Sequence, residues 1–332
     1  MKHNWKITIL LLSMFLLTQF IGLYVINSDP FHVEVTQADG TMKNITNPIL
    51  SAMQPPEVQQ QSDFTFNLGL IIFSFIIAIV ILFLLIKFKI NAVLRVWFFS
   101  VMVIAMFVTF SSLFRNYIDS IYFIIPALFV ALGLSFIKVF KRNFIIHNLT
   151  ELLIYPGIAL LFVSMLNFWS VIVLLLLISA YDMWAVWHSG IMQKMAKYQM
   201  NNLKVFSGFF IPYIPRNMRL KLKKLKKDKK FKNKKIKVNI AILGGGDVVF
   251  PIITAGVMLN LAKQNKFPSF LSSLATPLFN VPGLIAALFV TAGATLGLGL
   301  LFAFSEKKKF YPAMPFITAG MLVGIILSYL LL

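Results

Sequence analysis

Long apolar runs separated by short polar segments dominate the chain. A helix needs about 20 mainly apolar residues to cross the hydrocarbon core of a bilayer. Runs of this kind are predicted at nine places, namely Ile7–Ile26, Leu68–Ile86, Val96–Phe114, Ile121–Phe140, Leu149–Leu166, Trp169–His188, Val238–Leu261, Thr276–Phe304 and Phe310–Leu332. The pattern therefore predicts an all-α polytopic membrane protein with nine transmembrane helices.

The first run has two interpretations. Lys2 and Lys6 precede it, as in a secretory signal peptide. However, the run is longer than a usual signal-peptide core, and no small-x-small cleavage site follows it. We expect a retained transmembrane helix.

Composition excludes an ordinary soluble domain and several kinds of site. Hydrophobic residues make up 59% of the 332 residues and charged residues only 13%, more apolar surface than one soluble core can bury. The chain has no cysteine, which excludes disulfides, thiolate metal sites and a cysteine nucleophile. His147 and His188 stand at different span ends without a cluster of ligands, so neither a metal nor another cofactor is expected.

Lysine and arginine in the short loops predict the orientation, because cytoplasmic loops carry an excess of these residues. With nine alternating spans, most of the basic loop residues fall on one side: Lys2, Lys6, Lys87, Lys89, Arg95, Lys138, Lys141, Arg142, Lys307, Lys308 and Lys309. The acid-rich loop 28–67 falls on the other side. The N-terminus is therefore predicted to be cytoplasmic and the C-terminus outside.

The predicted organisation has four parts. Residues 1–166 hold helices 1–5, residues 167–188 hold helix 6, residues 189–237 form a basic cytoplasmic loop, and residues 238–332 hold helices 7–9. Sixteen of the 31 basic residues lie between Ile191 and Lys237, opposed by Asp228 alone. Because this segment connects two spans, it predicts contact with anionic lipid rather than binding of nucleic acid.

Two acidic residues fall inside spans, whereas the others, Asp119 and Glu151 included, are expected in loops or at span ends. Asp182 lies six residues before His188, and Asp247 lies eight residues after Asn239. On helices these positions are roughly 9 and 12 Å inside the same boundary. A charged residue inside a span usually faces a protein interior or water cavity and indicates function, although a structural hydrogen bond is the alternative.

Two neighbouring carboxylates favour one protonated and one ionised member, an arrangement suited to hydrolysis of a peptide bond by water. Gly244, Gly245 and Gly246 remove side chains beside Asp247, so a substrate backbone or the sixth helix can approach closely. Just before them, apolar residues alternate with Lys237 and Asn239. This alternation is compatible with a short strand that offers an edge to a peptide, or with a frayed helix start.

Three motifs in order resemble those of a known family. They are Tyr181-Asp182, Gly244-Gly245-Gly246-Asp247 and Pro312-Ala313-Met314, which resemble the YD, GxGD and PAL motifs of the presenilin and signal peptide peptidase intramembrane aspartyl proteases. The nine spans and the basic loop agree with this family over the whole chain. The stretch Gly244–Pro251 is especially similar to the signal peptide peptidase and archaeal branch.

The resemblance implies a GxGD-type intramembrane aspartic endopeptidase with Asp182 and Asp247 as its catalytic pair. It also implies that Tyr181, the three glycines and the Pro312–Met314 stretch shape the site. The family has a leucine where this chain has Met314. We expect the methionine to preserve the packing, because it is apolar and similar in volume. The expected substrates are transmembrane proteins or peptides with an outer N-terminus, and the expected location is a prokaryotic, archaeal-type cell membrane. Self-association into a homo-oligomer stays open.

Three other functions are alternatives to this interpretation. A proton- or cation-coupled secondary transporter could use both aspartates, but the halves of the chain show no internal repeat. A prepilin-type peptidase would leave the Pro-Ala motif unexplained, and a noncatalytic membrane scaffold is excluded only by activity. Gly293, Gly297 and Ala292 predict close helix packing rather than a site.

Overall fold

The computed structural model describes most of the apolar part of the chain. The described residues are 5–36, 42–47, 50–55, 61–88, 90–114, 121–141, 143–189, 198, 206–213, 239–264, 278, 280–306 and 311–331. Most of the basic segment 189–237 and Asp119 lie outside them. The lipid contact expected of that segment therefore stays a prediction.

Nine apolar helices form the described part of the fold, as the sequence predicts. They are α1 Trp5–Ser28, α2 Gln61–Lys87, α3 Asn91–Leu113, α4 Ile121–Phe140, α5 Phe144–Val163, α6 Phe168–Trp184, α7 Gly245–Lys263, α8 Leu284–Phe304 and α9 Met314–Leu331. Eight of them are long and apolar enough to cross a membrane, and α4 adds a shorter apolar stretch, Ile125–Phe140.

Local capping explains where α5 and α6 begin. The Asn143 side chain accepts a hydrogen bond from the Ile145 N–H, and the Asn167 side chain accepts one from the Ser170 N–H. Such bonds satisfy backbone donors that the first helical turn leaves free. The predicted start of the fifth span, Leu149, is therefore five residues later than the observed start of α5 at Phe144. The apolar pattern does not indicate where a helix is capped.

Two short antiparallel sheets accompany the helices. Between α1 and α2, β1 (His32–Thr36) pairs with β2 (Met42–Thr46), an antiparallel pair that the sequence did not predict. The second sheet pairs β3 (Gly208–Tyr213) with β4 (Asn239–Gly244). Asn239 and Ile240, the described end of the alternation before the glycines, therefore belong to a strand and not to a frayed helix start, and residues 236–238 lie outside the described residues.

This strand corrects the predicted seventh span. The prediction of a helix from Val238 is wrong, because Asn239–Gly244 is β4 and the helix begins only at Gly245. The depth of Asp247 counted along a helix from Asn239 is wrong for the same reason. Asp247 instead lies in the first turn of α7.

Helices α8 and α9 also begin later than predicted. The eighth span was expected from Thr276, but α8 starts at Leu284 after Gly283, whose φ of 71° is a left-handed conformation suited to glycine. The last span was expected from Phe310. The first helical hydrogen bond of α9 instead runs from the Ile317 N–H to the Ala313 carbonyl, at 3.1 Å.

The most enclosed helix is α7, which packs against α1, α5, α6, α8 and α9. Its residues are apolar on every face, as expected for a helix surrounded by others. Asp247 stands near its beginning. At its other end, the Lys263 ammonium donates to the Asn27 carbonyl of α1 at 2.6 Å.

Glycines let α8 and α9 approach closely. A Cβ added at Gly293 would overlap the backbone of Gly320, and one added at Gly297 would overlap the Phe316 carbonyl. The predicted packing role of these two glycines is confirmed. Ala292 is exposed, so its inclusion in that interface is wrong.

Candidate active site

Asp182 lies where α6 meets the beginning of α9. Its side chain is buried, and its Oδ2 accepts a hydrogen bond from the Met314 backbone N–H at 3.0 Å. The backbone of Ala313 adds a second interaction. The first N–H groups of a helix lack partners within the helix and form its positive end, so they stabilise a carboxylate placed there.

Asp247 occupies a comparable position on α7. It is the third residue of the helix, follows the N-cap Gly244, and is 8% exposed. The Gly244 backbone forms a hydrogen bond with its carboxylate, as in a capping box. Each aspartate therefore faces the positive end of a helix, α9 for Asp182 and α7 for Asp247.

The two carboxylates lie close enough to interact electrostatically. Their helices are in direct contact, since α6 packs against both α7 and α9. The sequence predicted two carboxylates at one level, and the structure brings Asp182 and Asp247 together within the bundle.

The three glycines beside Asp247 have different surroundings. A Cβ at Gly244 would lie 3.0 Å from Asp247 Oδ2, and a Cβ at Gly245 would lie 3.0 Å from the Tyr155 hydroxyl of α5. A Cβ at Gly246 would meet only Phe250, at 3.6 Å. Clearance for α6 was expected, but Gly245 makes room for α5. Gly246 is the exposed member of the three, as far as the described residues show.

The remaining motif residues divide by what they contact. Pro312 and Ala313 lead directly into α9, and the buried Met314 is its first residue. Because Met314 reaches Asp182 through its backbone, the change from leucine leaves this bond intact. Tyr181 is 37% exposed and packs edge-on against Phe75 of α2, so its ring lies between α2 and α6.

A second polar cluster, which we call the β3 cap, lies beside this site. It consists of Lys138 of α4 and His147, Asn148 and Glu151 of α5. Lys138 Nζ lies 2.6 Å from Glu151 Oε1, and both side chains are 1% exposed. The expectation that Glu151 lies at a span end is wrong, because α5 begins at Phe144 and Glu151 is a buried residue in its third turn. Sequence reasoning missed the pair since its members come from different helices.

Two neutral hydrogen bonds were also missed. The Ser179 hydroxyl of α6 donates to Thr318 Oγ1 of α9 at 2.8 Å, and Gln19 Nε2 of α1 donates to the Val248 carbonyl at 3.1 Å. Ser179 precedes Asp182 by three residues and so shares its helix face. That spacing is a signal in the sequence that could have found it.

Among the described residues, no group of three or more histidine, cysteine, aspartate or glutamate side chains could hold a metal ion. The carboxyl groups of Asp182 and Asp247 supply acid–base chemistry. They can accept, hold and return protons.

The nine apolar helices of the described residues, five of which pack against α7, and the buried aspartates among them define a multi-pass membrane protein. Residues 44–332 match the family model described as signal-peptide peptidase, presenilin aspartyl protease. The chain therefore belongs to this family. Membership indicates a presenilin-type intramembrane aspartyl protease, a class that acts on transmembrane substrates.

Solved structures show the same fold. A presenilin family intramembrane aspartate protease in space group C222 aligns with a TM-score of 0.59 and 16% identity, over 98% of this chain and 99% of the other. The structure of such a protease in space group P2 gives a TM-score of 0.56 and 16% identity, over 97% of each chain. A comparison with curated proteins gave no match.

Proposed function

We propose that the chain is a GxGD-type intramembrane aspartic endopeptidase in which Asp182 and Asp247 act together on one water molecule. The observation that carries the proposal is the interaction of these two buried carboxylates, each at the positive end of a helix. Family membership favours hydrolysis over a coupled transporter that would use the same residues.

The reaction balances with groups on this chain. The ionised aspartate removes a proton from water as the water oxygen attacks the scissile carbonyl carbon, and the protonated aspartate donates to the carbonyl oxygen. The tetrahedral intermediate then collapses: the C–N bond breaks, the amine nitrogen takes the proton that came from water, and a hydroxyl of the intermediate returns its proton to the other aspartate as the product carboxyl group forms. Because the two titrations are coupled, the roles belong to the pair.

The adjoining strand supplies what an unwound substrate needs. A helical substrate must open before water reaches its carbonyl, and inside lipid the freed backbone groups require new partners. Strand β4 runs directly into α7 and Asp247. No described strand pairs with its outer edge, which can therefore accept an extended peptide.

The proposal is tested by cleavage of a model transmembrane peptide in liposomes. Asp182→Asn and Asp247→Asn should each lower the rate by at least about 10³-fold. Asp29→Asn is the matched control. Asp29 lies at the far end of α1 with a φ of 39°, which asparagine also tolerates. Wild-type rates in either site variant would refute the proposal.

Substrate orientation follows from the same site. The basic residues of the loops predict that α7 and α9 begin on the cytoplasmic side, so we propose that substrates have an outer N-terminus and are cut near the cytoplasmic face. Matched peptides inserted in both orientations test this. Preferential cleavage of spans with a cytoplasmic N-terminus would contradict it.

A further inference from the structure

The β3 cap contacts the backbone of one strand of the sheet at the active site. Glu151 Oε1 accepts from the Gly208 N–H at 3.2 Å, while His147 Nε2 donates to the Gly208 carbonyl at 2.8 Å. Asn148 accepts from the Phe210 N–H at 3.1 Å and donates to the Phe210 carbonyl at 2.9 Å. Four backbone groups of β3 are thus bonded by side chains of α5.

The bonded backbone groups belong to alternate residues of β3, so they lie on the same edge of the strand. In an antiparallel pair, every second residue directs its N–H and C=O away from the partner strand. Gly208 and Phe210 therefore face α5, opposite β4. Pro212 has the same parity and lacks an N–H, so the outer edge of β3 offers no free N–H donor at any of these three positions.

The register then fixes which groups remain open on β4. Phe210 lies opposite Ile242 and Pro212 lies opposite Ile240. By the same alternation, the backbone groups of Ile240 and Ile242 point away from β3. These residues precede Asp247 by seven and five positions, so a peptide paired with them is led toward the dyad.

The rest of the cap holds this arrangement in place. Lys138 neutralises Glu151, the residue that bonds the Gly208 N–H. Gly208 has a φ of 148°, and a Cβ there would lie 2.5 Å from the Leu243 carbonyl of β4. The start of β3 therefore requires glycine, and α5 holds the strand at this point.

We propose that the β3 cap is a positioning device that closes the outer edge of β3, so that an extended substrate pairs only with β4 and in one register. The cap residues are positioning residues. They set the cut site through the sheet and touch neither water nor the scissile bond. The inference rests on the proposed function, because it concerns the substrate of that same site.

Cross-linking tests the edge directly, because the chain has no cysteine of its own. A substrate with one cysteine is trapped on the full-length Asp247→Asn protein with a cysteine at Ile242→Cys or at Phe210→Cys. We expect a disulfide with position 242 only. Adding Asn148→Leu should open the β3 edge and produce a second disulfide, at position 210. Equal cross-linking at both positions without Asn148→Leu would overturn the proposal.

Cut-site mapping by mass spectrometry provides the second readout. In Asn148→Leu, the ratio of displaced to main product should rise about fivefold or more, as expected for loss of a register-fixing hydrogen bond. Asn143→Ala is the matched control, since Asn143 caps the same helix without contacting β3. It should lower thermal stability and leave the product ratio unchanged.

The outcomes separate the two proposals. If the wild-type protein cleaves nothing, the proposed function fails, whereas the cross-linking result still decides the edge. If Asn148→Leu cleaves only at the wild-type position, the positioning role is wrong even though the protease is real. Asn148→Ser repeats both measurements if the leucine variant does not fold.

Discussion

Replacing Lys138 by methionine measures how strongly the bundle depends on its buried ion pair. The Lys138 and Glu151 side chains are each 1% exposed and 2.6 Å apart. Methionine keeps the apolar length of lysine but leaves the Glu151 carboxylate buried without its cation. Breaking a buried pair in this way costs about 3–5 kcal/mol. The Gly208 N–H still bonds this carboxylate, so we expect the lower end of that range, about 3 kcal/mol.

The double variant Lys138→Met/Glu151→Gln removes both charges and keeps an oxygen for the Gly208 N–H. It should be no more than about 1–2 kcal/mol less stable than wild type, because no charge remains buried alone. Unfolding by SDS in mixed micelles, followed by circular dichroism, gives the free energies of unfolding of the wild type, Lys138→Met, Glu151→Gln and the double variant. The half-exposed Asp29–His32 pair is the control, and Asp29→Asn should cost at most about 1 kcal/mol.

Either of two results would contradict the expected dependence on the buried ion pair. Lys138→Met could cost no more than Asp29→Asn, or the double variant could lose as much as the two single variants added together. Either result would mean that the pair is solvated or uncoupled. The β3 cap would then lack the electrostatic support that its burial indicates.

Three further predictions concern packing and access. Gly157→Ala places a methyl group against the Ala105 carbonyl of α3 and should cost about 1–3 kcal/mol in the same unfolding assay. Ser179→Ala removes the bond to Thr318 and should cost about 1 kcal/mol, whereas an unchanged stability would contradict the contact between α6 and α9. Gly246→Ala should fold normally but raise KM for a transmembrane peptide, because its open side faces no described neighbour except Phe250.

The membrane spans could be predicted well from the sequence, since an apolar run of sufficient length has few alternatives in lipid. The predicted bounds of the fourth span match α4 throughout. The start of the seventh span could not be predicted in this way. An apolar stretch such as Ile240–Leu243 fits a buried strand and a buried helix equally, and its pairing with β3, about 30 residues away, decides between them.

The candidate site shows the same division. Asp182 and Asp247 stood out because an isolated acid inside a span is costly. Glu151 did not, because the Lys138 ammonium that makes its burial tolerable comes from another helix. The hydrogen bond from the Met314 N–H to Asp182 could not be predicted either, because almost every residue type has a backbone N–H donor.

Whether Asp182 and Asp247 form one catalytic unit is measured by the cleavage rates of Asp182→Asn, Asp247→Asn and the double variant. Residues that act as a unit are strongly non-additive. Each single variant should therefore lower cleavage at the wild-type site by at least about 10³-fold, and the double variant should be no slower than either single one. A single variant that still cleaves there at the wild-type rate, or a double variant whose loss is the product of the two single losses, would contradict a single catalytic unit.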